Sequence, residues 1–497
     1  MHSAKFINFV QPILNASLLT LAPSLIAAPA AAQRSSVASI GSEHAPLSRR
    51  RSFRHAAASA LDAGSETALA RRLAGTAFII RVIAAVVAFA SQILLARWMG
   101  GFEFGIYIYA WTWVLMIGGM VDLGLGSASQ RLIPEYTEHR EFALLRGYLA
   151  GSRWLALAIA FAISAAGAAL VTAAAPHLDA ETLIPLYLSC AGLPAFGLGQ
   201  VLSGIARSYD WVNLGLFPTY VLRQVLLLGL MGAAYALALP TDAVTATAIG
   251  IAALWGVTLG QGVVLYRRLK RKETTQGARA YAVPAWLATA APIFVVEAFY
   301  LLLSYSDVIV VKQFRPPDEV AIYYAAAKTL ALVAFIYFSV AQTIAHKFAE
   351  YWVAGDRARL ARFLKLSVRL TFWPSLALIL ILLALGRPLL ALYGRGFVAG
   401  YYLMFIIAVG LLARASVGPA ERLLNMLGER RSCALVYAGA FAIDLVLCLA
   451  LLPFFGIAGA AVANAVALIV ESVSLYYVAK TRLGLHCFIF GGGAGRS

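Results

Sequence analysis

Glu103-Phe104-Gly105-Ile106-Tyr107-Ile108-Tyr109-Ala110 returns as Glu319-Val320-Ala321-Ile322-Tyr323-Tyr324-Ala325-Ala326, a shift of 216 from 103 to 319. Glu135-Tyr136 returns as Glu350-Tyr351 at a shift of 215. Either match alone carries little. Two matches at nearly one shift, at corresponding places in the pattern, identify an internal repeat.

The hydropathy around these stretches says what is repeated. The chain has 497 residues, of which 61% are hydrophobic and 13% charged, with mean hydropathy +0.80. A soluble domain carries about a quarter charged residues. Apolar runs near the ~20 residues that cross a bilayer recur from Leu73 onward. Twelve spans are predicted, at 73–96, 105–127, 148–175, 183–206, 214–239, 243–266, 285–311, 320–345, 366–386, 401–424, 433–453 and 457–479. Helices are expected throughout, because lipid leaves no water to satisfy an open backbone. The shift carries spans one to six onto seven to twelve. An even number of spans per unit gives both halves the same orientation, so the repeat is parallel, about an axis along the membrane normal. In such transporters the substrate site lies between the halves. The domain plan is an N-terminal extension 1–72, an N-lobe 73–266, a basic linker 267–284, a C-lobe 285–482 and a tail 483–497.

The net charge of +17 does not point to nucleic acid, because the cations sit in short loops. Arg131, Arg140 and Arg146, Arg267 through Arg279, Lys347 through Lys365, and Arg430 and Arg431 fall on one side. The other side holds only Arg97, Lys312, Arg315, Arg387 and Arg395. The positive-inside rule puts the basic side and both termini in the cytoplasm of a cell inner membrane. No loop on the sparse side is long enough for a catalytic domain, which argues against a membrane polymerase or ligase; no enzyme activity is expected.

Residues 6–33 are apolar and end in Ala-Ala-Pro-Ala-Ala-Ala-Gln, like a signal sequence with a poor basic start. Residues 35–72 are basic and rich in Ser and Ala, of disordered composition. An over-long start or a floppy tail is the competing reading. Cys190, Cys433, Cys448 and Cys487 lie far apart with no paired spacing, and the seven histidines show no ligand pattern, so no metal or disulfide framework and no cofactor is expected. Gly124-Leu125-Gly126 and Gly491-Gly492-Gly493 lack the Lys-Ser/Thr of a phosphate loop. Trp98, Tyr107, Trp111 and Trp113 read as an interfacial aromatic belt, with a sugar platform as the alternative.

Three further stretches carry a family resemblance. Leu94-Leu95-Ala96-Arg97-Trp98-Met99-Gly100, Phe104-Gly105-Ile106-Tyr107 and Asp122-Leu123-Gly124-Leu125 resemble the opening of Wzx-type polysaccharide flippases of the multidrug/oligosaccharidyl-lipid/polysaccharide (MOP) exporter superfamily. Asp307-Val308-Ile309-Val310 with Ala321 through Lys328 looks like that family's junction of spans seven and eight, and Pro453-Phe454-Phe455-Gly456-Ile457-Ala458-Gly459-Ala460-Ala461 is similar to its late turn. The resemblance runs from Leu73 to about Arg482. It departs at Asp444, where Asn is common in the family, and over the first seventy residues. It implies an all-α polytopic membrane protein, MATE-like, with two lobes around a cavity, and a polyprenyl-diphosphate-linked glycan as cargo moved outward for surface polysaccharide synthesis. A MATE-like cation antiporter and a lipid II flippase are the alternatives. Membrane lipid is a partner, and a polysaccharide polymerase or chain-length protein would stand downstream.

Ionisable residues inside apolar spans cost roughly 2.5–3.5 kcal/mol each at a helix centre, so each should line a cavity or find a partner. Arg81, Lys328, Arg414 and Arg223 are the candidates for binding the diphosphate, an anion suited to guanidinium forks and point charges. Glu297, Asp307, Asp122, Asp444 and Glu471 are the candidates for ion coupling. Each has a plainer reading: Asp122 and Asp307 as solvated helix ends, Arg223 and Lys328 as snorkelling cations, and Asp444 with Glu471 as an inter-helix polar contact. Equivalence under the 216 shift also predicts that Arg81 and Glu297 face one another across the lobes.

Overall fold

The computed structural model describes residues 49–272 and 277–490; the signal-like stretch lies outside the described residues. The described residues up to Gly75, helical from Arg49 where composition suggested disorder, form one unit and those from Thr76 another.

The second unit is helical over most of its described residues, with eleven helices long and apolar enough to cross a membrane. The first, α1 (Gly75–Gly118), has 44 residues. Unbroken it would reach about 66 Å at 1.5 Å per residue, twice the ~30 Å hydrocarbon core. It breaks at Gly100 (φ 80°, ψ 169°), a backbone geometry that only glycine adopts without strain. Its two arms are therefore spans one and two, and the twelve-span plan holds.

The remaining elements are α2 (Leu125–Glu138), α3 (Phe142–Ala174), α4 (Ala180–Ser208), α5 (Val212–Ala236) and α6 (Ala243–Lys270) in the first half. In the second half come α7 (Val283–Phe314), α8 (Pro317–Leu330), α9 (Ala334–Val353), α10 (Arg357–Ala384), α11 (Gly386–Tyr393), α12 (Tyr401–Ser416), α13 (Ala420–Met426), α14 (Arg430–Phe455) and α15 (Ile457–Leu483). The repeat extends to the interruptions. Gly100 maps onto Pro316, where extended Arg315 and Pro316 separate α7 from α8. Each half also has a second interruption, residues 119–124 before α2 and the 3-10 turn Ala331–Val333 between α8 and α9, although the two lie a few residues out of register under the shift. The recurring pattern is thus a helix–break–helix in span two of each half.

The two copies of the repeated segment meet where the halves touch. A Cβ on Gly105 would stand 1.9 Å from the Pro317 carbonyl oxygen, and one on Gly101 2.8 Å from Asp318 Oδ1. Phe104 packs edge-on against Tyr324 and Phe397. Gly101-x-x-x-Gly105 is the small-residue spacing that lets membrane helices approach backbone to backbone. Around it, Lys312 Nζ binds Asp179 Oδ2 at 2.8 Å, Gln313 donates to Tyr109 Oη at 3.1 Å, and Arg97 Nε donates to the Leu392 carbonyl at 2.5 Å. A cavity of about 350 Å³ lies here, lined in part by Arg97, Gly101, Asp318 and Tyr393.

Two boundaries differ in packing from the sequence plan. Trp286 and Ala290, placed by sequence in the C-lobe, are fully buried among Leu125, Leu132, Tyr148 and Ile205 of the first half. The far part of the same helix packs on α14. Helix α7 therefore bridges the lobes. It can do so because Gly147 approaches the Ala280 carbonyl too closely for any Cβ. The segment after Leu483 folds back: Leu485, Cys487 and Ile489 are buried beside Val368, Phe372 and Ala415, and Ile489 N donates to the Ser416 carbonyl at 3.0 Å. Their alternating apolar side chains find a core, which composition alone did not show.

Candidate functional site: a cation and aromatic ladder between the halves

Arg223 follows the one-turn π-helix Pro218–Leu222 in span five, a wider turn often found at functional sites. Its guanidinium lies 5.0 Å from the Trp111 ring centroid, and its Nε donates to the Thr219 carbonyl at 3.3 Å. Tyr107, Tyr220, Tyr305 and Tyr324 lie within its electrostatic reach. Lys328, in the other half, stands 5.2 Å from the Tyr324 ring and 5.7 Å from that of Tyr305. Tyr305 on α7 and Tyr324 on α8 thus contact Lys328 and lie within electrostatic reach of Arg223. One helical turn separates Tyr324 from Lys328, which puts both on one face of α8.

Among the described residues no carboxylate lies within ion-pairing distance of Arg223 or Lys328. Asp307 acts on Lys328 only over a longer range. Cation–π contacts are worth about 0.5–2 kcal/mol each, a small offset against the cost of a charge at membrane depth. The pair is left with free capacity for an anion.

The ladder continues along α7. Tyr300 sits near Tyr305, and the Arg414 guanidinium lies 6.0 Å from Tyr300 and 5.3 Å from Tyr337. Unlike the other two, Arg414 has a carboxylate: its Nε is 3.4 Å from Glu471 Oε1. Arg81 is half-buried in the first arm of α1, between Ile80 and Ala84, which pack on Leu216 and Val221 of α5. No described contact brings it to the ladder, although it lies on the helix packed against the one that carries Arg223. Nor does an ion pair join Arg81 to Glu297 among the described residues. Glu297 instead accepts a hydrogen bond from Ser127 Oγ at 2.7 Å, linking α7 to α2.

The remaining acids separate into different roles. Asp122 is not solvated. It is 4% exposed, and its two oxygens accept from the Gly124 and Gly126 amides at 3.2 and 2.9 Å, closing the turn into α2. Asp307 is buried and accepts from the Tyr323 hydroxyl at 2.5 Å. Asp444 is buried close enough to interact with Asp307; its Oδ2 accepts from Ser306 Oγ at 3.0 Å, while its Oδ1 has no hydrogen-bond partner among the described residues. Asp444 and Glu471 thus belong to two separate clusters rather than to one contact. The aromatic belt reading also changes. Tyr107 and Trp111 stack at 6.1 Å inside the N-lobe core, 1% and 5% exposed, under Arg223. Trp98 stacks on Tyr235. Sequence reading overlooked Tyr300, Tyr305, Tyr324 and Tyr337. The one-turn spacing of Tyr324 from Lys328 was the available signal.

Two parallel six-span halves, with Arg223 and Lys328 unpaired among the described residues beside Tyr305 and Tyr324, define a multi-pass membrane protein built on the two-lobe transporter plan. Comparison with known proteins narrows the class. Residues 73–346 match the model of the polysaccharide biosynthesis protein family, and the chain belongs to that family. None of the curated proteins matches it significantly. Among solved structures, an inward-facing multidrug resistance MATE family transporter of the MOP superfamily is similar over 81% of this chain and 94% of its own, with TM-score 0.69 and 12% identity. The lipid II flippase MurJ in an inward closed conformation is similar over 80% and 88%, with TM-score 0.62 and 14% identity. A MOP superfamily transporter from Pyrococcus furiosus, described by the reversed polarity of its binding pocket, covers 84% and 95% at TM-score 0.61 and 12% identity. The fold is that of the MOP superfamily.

Proposed function

We propose that the protein is a flippase that carries a polyprenyl-diphosphate-linked oligosaccharide across the inner membrane for surface polysaccharide synthesis. One observation supports this reading: Lys328 of one half contacts Tyr305 and Tyr324, Arg223 of the other lies within electrostatic reach of both, and neither cation has a counter-ion at pairing distance among the described residues. A diphosphate supplies the missing charge, and Arg223 offers it a planar fork. Because the cations come from different halves, bound cargo ties the halves together, and rocking of one half against the other exposes the cargo on alternate sides. Tyrosine faces beside the cations suit sugar rings, and the polyprenyl chain remains in lipid. Arg414 and Arg81 extend the cationic surface in this reading.

The buried pair Asp307 and Asp444 is the proposed ion-coupling site, with one oxygen unsatisfied and Tyr323 as donor. An acidic pair also suits a cation antiporter, so cargo and coupling need separate tests. Surface glycan is measured in a strain lacking the protein, complemented by wild type or by Arg223→Ala with Lys328→Ala. The double variant, inserted at normal level, is expected to lose export. Full export would refute the reading. Extrusion of an organic cation by the wild type without glycan export would favour the antiporter.

A further inference from the structure

Glu471 differs from the other acids in the second half. It is 1% exposed, and among the described residues neither carboxylate oxygen has a hydrogen-bond partner. Its contact with Arg414 Nε, at 3.4 Å, is an ion pair without hydrogen-bond geometry. Glu421, one helix away, shows the contrast. It accepts from the Tyr337 hydroxyl at 3.3 Å and from Asn425 Nδ2 at 3.2 Å. The charged and titratable groups around Glu471 are Arg414 on α12, Glu421 and Arg422 on α13, Tyr437 and Cys433 on α14, and Tyr337 on α9. Of these, Arg414 is the cation in contact. The Tyr437 hydroxyl is itself buried and unpartnered.

Arg414 is less deeply held. Its side chain is 20% exposed against 1% for Glu471, and it lies on the tyrosine ladder that leads to Lys328 and Arg223. A guanidinium between a loosely bound carboxylate and an incoming diphosphate will move to the better acceptor. A phosphate offers several charged oxygens and two parallel bonds. A buried carboxylate that loses its only cation is strongly disfavoured as an anion.

Resting on the flippase reading, we infer that Arg414 passes from Glu471 to the diphosphate of the cargo, and that Glu471 takes up one proton as it gives the arginine up. The proton comes from water and is added to a Glu471 oxygen; no covalent bond other than that O–H is made or broken. Cargo binding and proton uptake are then a single event, and cargo release returns the proton. By linkage, affinity for the diphosphate rises as pH falls, by up to about tenfold per pH unit while Glu471 is the group changing state.

The test uses the full chain in detergent with geranylgeranyl diphosphate as probe, titrated calorimetrically in buffers of different ionisation enthalpy. At pH 8, where the probe's terminal phosphate (second pKa about 6) is already ionised, wild type is expected to take up about one proton per probe bound. Glu471→Gln should take up none and bind more tightly near neutral pH, with affinity flat across the pH range where wild type varies. Glu471→Asp, which keeps the carboxylate, should retain the uptake. Binding by wild type with no proton taken up overturns the exchange and leaves the flippase reading standing, as does a Glu471→Gln protein with unchanged uptake. Failure of wild type to bind the probe at any pH overturns both. The wild-type proton count alone decides the matter if a variant does not fold.

Discussion

At the scale of single residues, ionisable groups inside apolar runs announced themselves, while their partners did not. Arg223, Lys328, Arg414 and the five acids stand out in sequence because charge at membrane depth is rare. Which of them are satisfied depends on neighbours brought from other helices, and sequence cannot display that. Asp122 illustrates the difference. It is as conspicuous in sequence as Asp307, yet its oxygens are taken up by the Gly124 and Gly126 amides. Asp122→Asn keeps an acceptor for the turn and is expected to export normally, whereas Asp122→Ala should cost about 1 kcal/mol in unfolding stability, in the range for a lost cap. A loss of export by the Asn variant at normal stability would give the charge a transport role. On the ladder, Tyr324→Phe keeps the ring face over Lys328 and should leave export near wild type. Tyr324→Leu removes a contact worth about 0.5–2 kcal/mol and should lower cargo affinity roughly threefold to thirtyfold. Equal behaviour of the two variants in a binding titration would remove the ring from the site.

At the scale of elements, apolar period and length located the helices, and the breaks followed from residues with particular backbone needs. Gly100 and Pro316 occupy equivalent places because each half must reverse there. The bridging course of α7 was not legible, since Trp286 and Ala290 are apolar residues that fit either lobe by composition. The return of the chain after Leu483 was hidden for the same reason. It gives a direct check. Cys487 is fully buried, and burial pushes its thiol up to about 12, so at pH 8 it remains the unreactive thiol rather than the thiolate. Maleimide added to the native protein is expected to leave Cys487 unmodified until denaturant is present; rapid labelling without denaturant would show that the segment is not docked. The Gly101 and Gly105 seam gives another. Gly105→Val places its Cβ against the Pro317 carbonyl, so the halves cannot approach as they do. In a protein with Asp179→Cys and Lys312→Cys, whose native side chains pair at 2.8 Å, a short bis-methanethiosulfonate linker, which releases a sulfinate at each end as the disulfide forms, should bridge the two cysteines readily. Addition of Gly105→Val should reduce that bridging severalfold, and undiminished bridging would mean the seam tolerates the added bulk.

At the scale of the whole molecule, the repeat decides the architecture and the distribution of charge decides its orientation. Four of the five cations on the sparse side have a partner there. Lys312 is held by Asp179, Arg315 lies 3.7 Å from Glu319, Arg97 donates to the Leu392 carbonyl, and Arg387 lies over the Tyr401 ring. The basic ends of α6 and α15 carry Arg267, Arg268, Lys270, Lys480 and Arg482 in their last turns, so the two sides differ by their count of Lys and Arg. Lys and Arg near span ends favour the cytoplasmic side, so the ends of α6 and α15 are expected inside and the turn after α3 outside. Reporters fused after His177 and after Arg271 should then give opposite results: periplasmic phosphatase activity from the first and cytoplasmic fluorescence from the second. The two positions are separated by α4, α5 and α6, an odd number of crossings, so fusions reporting the same side would mean that one of those helices does not span. Opposite results in the reverse sense would keep the fold and invert the protein, placing the Gly101 and Gly105 seam on the cytoplasmic face and turning the proposed direction of transport around.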